Sequence, residues 1–183
     1  STPLEEAIGE IAMFYLSGIS LAILPPDGRE RLLSAMARVR ANGGQVAFDN
    51  NFRSRLWPNP DQARALYDRA YALSDLLLIT LDDEMALRGK TSAEAALSDV
   101  LALPIPEVVV KRGAQPTLVR IAGNDPIAVP VEPVSQIVDT TAAGDSFAGG
   151  YLAMRLTGVE PALAARVANR TAAAVIQHPG AII

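Results

Sequence analysis

Apolar runs of strand length alternate along the chain with segments whose apolar residues recur at helical spacing. The runs MFYLS, QVAFD and LLLIT, at 13–17, 45–49 and 76–80, predict buried strands separated by helical segments. Strands joined by crossover helices pair in parallel, whereas antiparallel neighbours need only a tight turn. The first half of the chain therefore predicts an α/β fold with a parallel sheet.

Helical periodicity, with proline, glycine and capping residues at the segment ends, predicts helices along the whole chain. These helices are expected at residues 3–12, 27–43, 61–73, 81–87, 91–103, 145–156 and 161–177. The patterns Thr2 to Glu5 and Thr91 to Glu94 are capping boxes for two of them. Three strands with turn residues between them are expected at 107–111, 117–123 and 127–131. We therefore expect a single α/β domain over residues 1–183, with a mainly parallel sheet and an antiparallel hairpin in its second half.

Composition narrows the class of function. Half of the 183 residues are hydrophobic and one fifth are charged, which suits a domain with a substantial core. A net charge of -4 without a basic block argues against nucleic acid and anionic membranes as partners. The chain has no cysteine, and its opening STPLEE lacks the features of a signal peptide. We expect a soluble cytoplasmic protein.

Polar loops follow several of the expected strands. DNNFRSRLW comes after QVAF, KRGAQ after EVVV, and DTTAAGD after SQIV, which we interpret as one more strand. In open α/β sheets, ligands bind beyond the carboxyl ends of the strands, where loops meet helix N-termini. We therefore expect these three loops to form one rim that carries the functional residues.

The loop DTTAAGD has the properties of an anion site. A helix beginning at about Gly144 directs unpaired N–H groups and its positive dipole end into the loop, and the small residues Ala142 and Ala143 allow close approach. Asp145, in the first turn, would place a carboxylate beside the bound anion. One use for that carboxylate is to accept a hydroxyl proton during phosphoryl transfer. The alternative is an ordinary acidic residue at a helix N-terminus, which is a common arrangement for an isolated Gly-Asp pair.

A longer string of residues resembles a known family. DTTAAGDSFAGGYL is similar to the D-T-x-G-A-G-D signature of the phosphofructokinase-B family, the ribokinase-like sugar kinases, with Ala142 at a position where most members have glycine. FDNNFRSRLW resembles the family's D-x-N-x-R-x-x-L-W segment. YLSGISLAIL and VVVKRGA resemble the adjoining strands, and NRTAAAVIQHPGAI the last nucleotide-side helix. The resemblance implies a ribokinase-like three-layer α/β/α fold. Because family members are longer, it also implies a C-terminal portion in which the N-terminal strands and β lid are missing.

The resemblance assigns roles to individual residues. Asp145 is implied as the catalytic base, and Asn51 and Arg53 as contacts to the substrate or its phosphate. Glu84 corresponds to a glutamate that organises magnesium-bound water in relatives, with Leu81 at the asparagine position of that motif. The implied nucleotide-binding and anion-hole residues are Lys111, Gly113, Ala142, Ala143, Gly144 and Asn169.

The activity implied by the resemblance is ATP-dependent phosphorylation of the 6-hydroxyl of a six-carbon keto-deoxy sugar acid. ATP and Mg²⁺ are the implied cofactors, and a monovalent cation is left open as a third. The partners are a small sugar acid and ATP, with a homo-oligomer expected for the full-length enzyme. Two alternatives remain: a related fructose, ribose or nucleoside kinase, and a nucleotide-binding fragment that is inactive by itself.

Overall fold

The computed structural model describes residues 11–180, so the helix expected at 3–12 lies outside the described part of the chain. The described strands form a mixed, mostly parallel sheet of six strands whose order follows the chain. The chain divides into two compact units, Ser1–Val108 and Val109–Ile183. None of the helices between residues 11 and 180 has the length and hydropathy that a membrane crossing requires.

The first unit alternates strands and helices, as the sequence predicts. Its elements are β1 (Met13–Ser17), α1 (Gly18–Ile23), α2 (Pro26–Ala41), β2 (Gln45–Asp49), a 3₁₀ turn (Ser54–Leu56), α3 (Pro60–Ala72), β3 (Leu76–Thr80), α4 (Leu81–Arg88) and α5 (Ala93–Leu101). The three strands pair in parallel, with Leu16 beside Phe48 and Phe48 beside Leu77. The predicted bounds of β1, β2 and β3 are confirmed.

Three predictions for the first unit are wrong in detail. The sequence predicts a buried β1, but only Leu16 of this strand is buried and Tyr15 is 40% exposed, because β1 is an edge strand of the described sheet. Helix α1 begins directly after β1, where the sequence suggested continuing strand. The expected cap Thr91 is also misplaced by one residue, since the Ser92 hydroxyl accepts the N–H of Ala95 and caps α5.

An aromatic cluster fills the core of the first unit. Tyr67, on α3, is fully buried at its centre. The Tyr67 ring meets the rings of Phe48, Phe52, Trp57 and Tyr71 edge-on, with centroids 5.6 to 6.1 Å apart. Edge-to-face contacts of this kind add to the stabilisation from burial. The cluster therefore ties α3 to β2 and to the loop that follows β2.

Gly18 lies against the polar end of Tyr67. The Tyr67 hydroxyl donates a 2.8 Å hydrogen bond to the backbone carbonyl of Asn50. A Cβ at position 18 would lie 1.8 Å from that hydroxyl oxygen and 2.2 Å from that carbonyl oxygen. Only glycine therefore allows the start of α1 to approach this hydrogen bond.

The second unit carries an antiparallel pair and two helices. Strand β4 (Glu107–Arg112) crosses the boundary between the units, and it is followed by β5 (Gln115–Ile121), β6 (Ile127–Val129), α6 (Ala143–Leu156) and α7 (Pro161–Val175). The β5–β6 pairing is antiparallel, as predicted, and places Thr117 beside Val129. Strand β5 begins two residues earlier than predicted, and the described SQIV segment is irregular chain rather than a strand. Its residues Ile137 and Val138 are exposed, and the Val138 N–H donates to Ile176 after α7 instead of pairing in a sheet.

We predict that Gly18→Ala lowers the free energy of unfolding by about 1–3 kcal/mol, because the new methyl group overpacks a buried hydrogen bond. Urea unfolding measures the change. The matched control is Gly149→Ala, where the added Cβ meets nothing within 4 Å and the position is helical and exposed. That control is expected to stabilise by about 0.5–1 kcal/mol. Equal stability of Gly18→Ala and the wild type would show that α1 does not approach Tyr67 so closely.

The buried tyrosines predict a loss of stability in alkali. Burial raises the pKa of Tyr71 well above its ordinary value, and the nearby Glu84 carboxylate raises it further. Above pH ~10 the unfolded tyrosine releases its proton while folded Tyr71 retains it. The contribution of Tyr71 to the free energy of unfolding is therefore fully present below that pH. Above it, this contribution falls by up to ~1.4 kcal/mol per pH unit.

Tyr71→Phe should reduce this alkaline slope, measured by urea unfolding at several pH values between about 9 and 11. Ser74→Ala, the loss of a buried hydroxyl that does not titrate in this range, is the control and should leave the slope at its wild-type value. A slope that is the same in the wild type and in Tyr71→Phe would contradict the prediction.

Candidate functional site

The N-terminus of α6 is built from small residues. Helix α6 begins at Ala143, and Ala142 before it has no side chain that could cap the helix. Ala142 is buried, and Ala143 and Gly144 are half-buried. No side chain therefore caps this helix start. Its N–H groups and the positive end of its dipole suit an anion. The predicted helix start near Gly144 is confirmed to within one residue.

Lys111 lies beside this helix start. Its Nζ atom is 3.9 Å from the position that a Cβ on Gly144 would occupy, and 5.9 Å from the centroid of the Phe147 ring. The structure thus brings together two predicted nucleotide contacts that are distant in sequence. A lysine ammonium next to a helix N-terminus adds a second source of positive potential for a bound phosphate. Gly113 lies two residues further on, at a φ of 61° in the turn between β4 and β5, where its conformation suits glycine.

Asp145 occupies the first turn of α6, as predicted, and its side chain is exposed. Among residues 11–180, no side chain forms an ion pair with the Asp145 carboxylate. An acidic residue in a first turn also interacts favourably with the helix dipole, so the ordinary helix-start role stays open for Asp145. The catalytic role implied for it stays a prediction.

Asp139 organises the loop before α6, and sequence reasoning did not single it out. Its carboxylate accepts the N–H of Thr141 at 2.8 Å, the Thr141 hydroxyl at 2.5 Å and the N–H of Gly180 at 3.0 Å. The Thr141 hydroxyl and N–H, together with the Gly180 N–H, hold the pKa of Asp139 below its ordinary value. The D-x-T spacing, which favours a local side-chain turn, is the signal that could have identified it.

Asn169 has a structural role in the described unit. It is buried on α7, where its amide oxygen accepts the Thr117 hydroxyl at 2.9 Å. Its amide nitrogen donates to the carbonyls of Pro130 at 3.0 Å and Val129 at 3.5 Å. These bonds attach α7 to β5 and to the end of β6. The nucleotide contact implied for Asn169 stays a prediction.

The loop after β2, in the first unit, carries the other predicted contacts. Asn51 is half-buried and has a φ of 29°, the single positive φ outside glycine among the described residues. Arg53 is exposed, and its Nη1 donates to the Phe52 carbonyl at 2.8 Å and to the Asp83 carboxylate at 3.2 Å. No described group bonds Nε or Nη2 of Arg53, so both can donate to a ligand. The arrangement offers a planar pair of donors for a carboxylate or phosphate.

Glu84, for which the resemblance implies an indirect role at a magnesium site, bonds protein groups on both carboxylate oxygens. The side chain is buried on α4, where one carboxylate oxygen accepts the Tyr71 hydroxyl and the other accepts Arg88 Nε at 2.8 Å. Arg88 also pairs with Asp68 on α3 at 2.7 Å. No group of three or more acidic or histidine side chains suited to a metal occurs in residues 11–180. Glu84 therefore joins α3 to α4, and the water-mediated metal role implied for it stays a prediction.

Comparison with known proteins identifies the family of the chain. The pfkB family carbohydrate kinase model matches residues 1–183. The chain is 48% identical over 180 residues to 2-dehydro-3-deoxygluconokinase of Escherichia coli strain K12, a match that covers 97% of this chain and 58% of that protein. It is 34% identical over 139 residues to aminoimidazole riboside kinase of Salmonella typhimurium, covering 76% of this chain and 42% of that protein.

Solved structures extend the similarity to the fold. Aminoimidazole riboside kinase from Salmonella enterica, complexed with aminoimidazole riboside and an ATP analogue, has a TM-score of 0.83 and 31% identity, covering 92% of this chain and 57% of that one. Fructokinase from Vibrio cholerae, with fructose, ADP and a calcium ion bound, has a TM-score of 0.81 and 32% identity, covering 92% and 56%. The chain thus spans a little over half the length of these relatives. It belongs to the pfkB family of carbohydrate kinases and has their ribokinase-like α/β fold.

Proposed function

We propose that the protein is an ATP-dependent kinase that phosphorylates the 6-hydroxyl of 2-keto-3-deoxygluconate. The observation that carries the proposal is the start of α6, where Lys111 lies next to Gly144 and Asp145 is exposed in the first turn. Relatives named 2-dehydro-3-deoxygluconokinase, at 36–48% identity, support the choice of substrate.

The second unit supplies the groups for phosphoryl transfer. Phosphate oxygens of ATP bind at the N–H groups that begin α6, and Lys111 neutralises part of their charge. The substrate hydroxyl oxygen attacks the γ-phosphorus, and the bond from that phosphorus to the ADP oxygen breaks. The hydroxyl proton passes to the Asp145 carboxylate. The transfer thus needs little from the protein beyond positioning, one acceptor for the proton and stabilisation of negative charge.

The loop after β2 supplies the contacts to the acid. Arg53 keeps Nε and Nη2 for two parallel hydrogen bonds, which match the two oxygens of a carboxylate. Asn51 can both donate and accept, and so suits a sugar hydroxyl. Asp83 holds the guanidinium through Nη1, which fixes the direction of the remaining donors. A substrate with a carboxylate is therefore favoured over an uncharged sugar.

ATP enters such reactions with Mg²⁺, which neutralises phosphate charge when bound. The indirect role of Glu84 at this ion is tested below, because its carboxylate is buried and bonded to protein groups. A monovalent cation, a cytoplasmic location and a homo-oligomeric full-length enzyme also belong to the proposal. The cytoplasmic location follows from the proposed use of ATP as the phosphoryl donor.

A kinase for an uncharged sugar or a nucleoside is the second candidate. Fructokinase of Vibrio alginolyticus is 32% identical over 139 residues, and aminoimidazole riboside kinase has a similar identity. The loop of small residues and Asp145 would serve these reactions equally well. The two candidates differ in the partner of Arg53, since only a sugar acid offers a carboxylate.

A phosphorylation screen tests the choice of substrate. The protein is incubated with ATP and Mg²⁺ and with 2-keto-3-deoxygluconate, fructose, ribose or adenosine, and ADP release is measured. We expect the highest kcat/KM with the keto-deoxy acid. Faster turnover of fructose, ribose or adenosine would favour the second candidate. Binding of ATP without turnover of any of these four compounds would indicate a nucleotide-binding fragment that is inactive by itself.

In an active preparation, we predict that Asp145→Asn lowers kcat by about two to four orders of magnitude, since the amide cannot take the hydroxyl proton. The affinity for ATP should change little, because the helix N-terminus and Lys111 are retained. The matched control is Asp125→Asn, at an exposed carboxylate in the turn before β6, which should keep wild-type turnover. Wild-type turnover of Asp145→Asn would remove this residue from the mechanism.

We predict that Glu84→Gln lowers the free energy of unfolding by about 1–3 kcal/mol, because a buried charge-assisted hydrogen bond to Arg88 is weakened. The Mg²⁺ concentration that gives half-maximal activity should stay at its wild-type value. Glu94→Gln, at an exposed glutamate in the first turn of α5, is the control and should change neither quantity. A raised Mg²⁺ requirement with unchanged stability would restore the metal-site role of Glu84.

A further inference from the structure

Every polar group of Asn50 forms a hydrogen bond within the first unit. Its side-chain oxygen accepts the N–H of Asn51 at 2.8 Å and the N–H of Thr80 at 2.9 Å. Its side-chain nitrogen donates to the Thr80 carbonyl at 3.1 Å. Its backbone N–H donates to Leu78, and its backbone carbonyl accepts the Tyr67 hydroxyl. Asn50 itself is completely buried, and its partners Asn51 and Thr80 are half-buried.

These bonds attach the loop after β2 to the end of β3. Thr80 is the last residue of β3, and the Asn50 amide pairs with both of its backbone groups. The amide thus replaces the backbone pairing that would continue the sheet if β2 were longer. An amide is the side chain that matches a neighbouring donor and acceptor together, since a carboxylate cannot donate.

The same amide holds a strained neighbour. Asn51 has a φ of 29°, a region that asparagine tolerates better than most residues but which costs free energy. Such a conformation persists only where the surroundings fix it. Here the Asn50 oxygen accepts the Asn51 N–H, which is the bond that orients this peptide group.

Buried residues alternate with more exposed residues along the loop after β2. Asn50 and Phe52 are buried, and the Phe52 ring packs against Tyr67 with centroids 5.8 Å apart. Asn51 is half-buried and Arg53 is exposed. The strained backbone at Asn51 therefore sets the direction in which both Asn51 and Arg53 leave the loop.

We propose that Asn50 is a positioning residue, whose amide locks the loop to β3 and thereby presents Asn51 and Arg53 to the acid substrate. The proposal rests on the kinase function proposed above. Asn50 itself is too buried to touch the substrate. Its loss should therefore raise the KM for the sugar acid far more than the KM for ATP.

The test compares Asn50→Ala with Ser74→Ala, a matched loss of a buried polar side chain whose hydroxyl bonds Ala70 on α3. Steady-state kinetics should show that Asn50→Ala raises the KM for the keto-deoxy acid at least ~tenfold and the KM for ATP less than ~twofold. Ser74→Ala should keep both parameters within ~twofold of the wild type. An equal rise of the KM for the keto-deoxy acid and the KM for ATP in Asn50→Ala would overturn the proposal. So would an equal rise of the KM for the keto-deoxy acid in Ser74→Ala.

A double-mutant cycle tests whether Asn50 acts through Arg53. Arg53→Lys should lower kcat/KM at least ~tenfold in the wild type but less than ~threefold in the Asn50→Ala background, because the guanidinium is already misplaced there. Additive losses would mean that Asn50 does not position Arg53. Asn50→Asp serves where the alanine variant fails to fold, because it keeps both acceptor bonds and loses the donor to Thr80. An unchanged KM for the sugar acid in a folded Asn50→Asp would also overturn the proposal.

Amide hydrogen exchange separates this inference from the proposed function. If the wild-type protein phosphorylates no sugar acid, the proposed function fails, and exchange at Asn51 and Thr80 then decides the role of Asn50. Faster exchange at these two amides in Asn50→Ala, with wild-type rates in Ser74→Ala, supports the locked loop. Wild-type exchange at both amides in Asn50→Ala would overturn it.

Discussion

The hydrogen bond from the Tyr67 hydroxyl to the Asn50 carbonyl supports the first unit and its functional loop together. Its donor lies at the centre of the aromatic core, and its acceptor belongs to the residue that locks the loop after β2. Burial raises the pKa of Tyr67 and keeps the hydroxyl protonated, so the donor is retained across the ordinary pH range. Gly18 is needed because any side chain there would occupy the space of this bond. Core packing and loop geometry thus depend on the same few atoms.

In the second unit, positive potential is concentrated at one helix start, although the chain has no basic surface. The chain carries a net charge of -4, yet the start of α6 combines helix N–H groups with the Lys111 ammonium. Such short-range, oriented donors act on a phosphate within hydrogen-bonding distance and exert little force on distant polyanions. This selectivity suits the small nucleotide proposed as the ligand. Asp145 adds a negative group at the same helix start, where the proposed mechanism places the proton acceptor.

The sequence predicted the parallel strands, the antiparallel pair and the start of α6, because apolar periodicity and helix-start signals are local properties. It missed α1, which begins at Gly18. The close approach of Gly18 to Tyr67 and Asn50 involves residues far along the chain, so no local pattern indicated this helix start. It also missed the roles of Asn50 and Asp139, since each depends on a backbone partner from a distant segment. For Glu84 the resemblance implied a metal role but not the structural partners Tyr71 and Arg88, which depend on the packing of α3 against α4. The roles of Asp145, Lys111 and Arg53 remain predictions that their positions support.

The carboxylate of Asp139 links the loop before α6 to the segment after α7. It bonds Thr141 in the loop and Gly180 beyond α7, so the two segments share one set of hydrogen bonds. If an anion bound at the proposed site changed the conformation of this loop, reciprocity would require a change at Gly180 to alter the affinity for that anion by the same factor. The segment after α7 is thereby joined to the loop in which the proposed anion site lies.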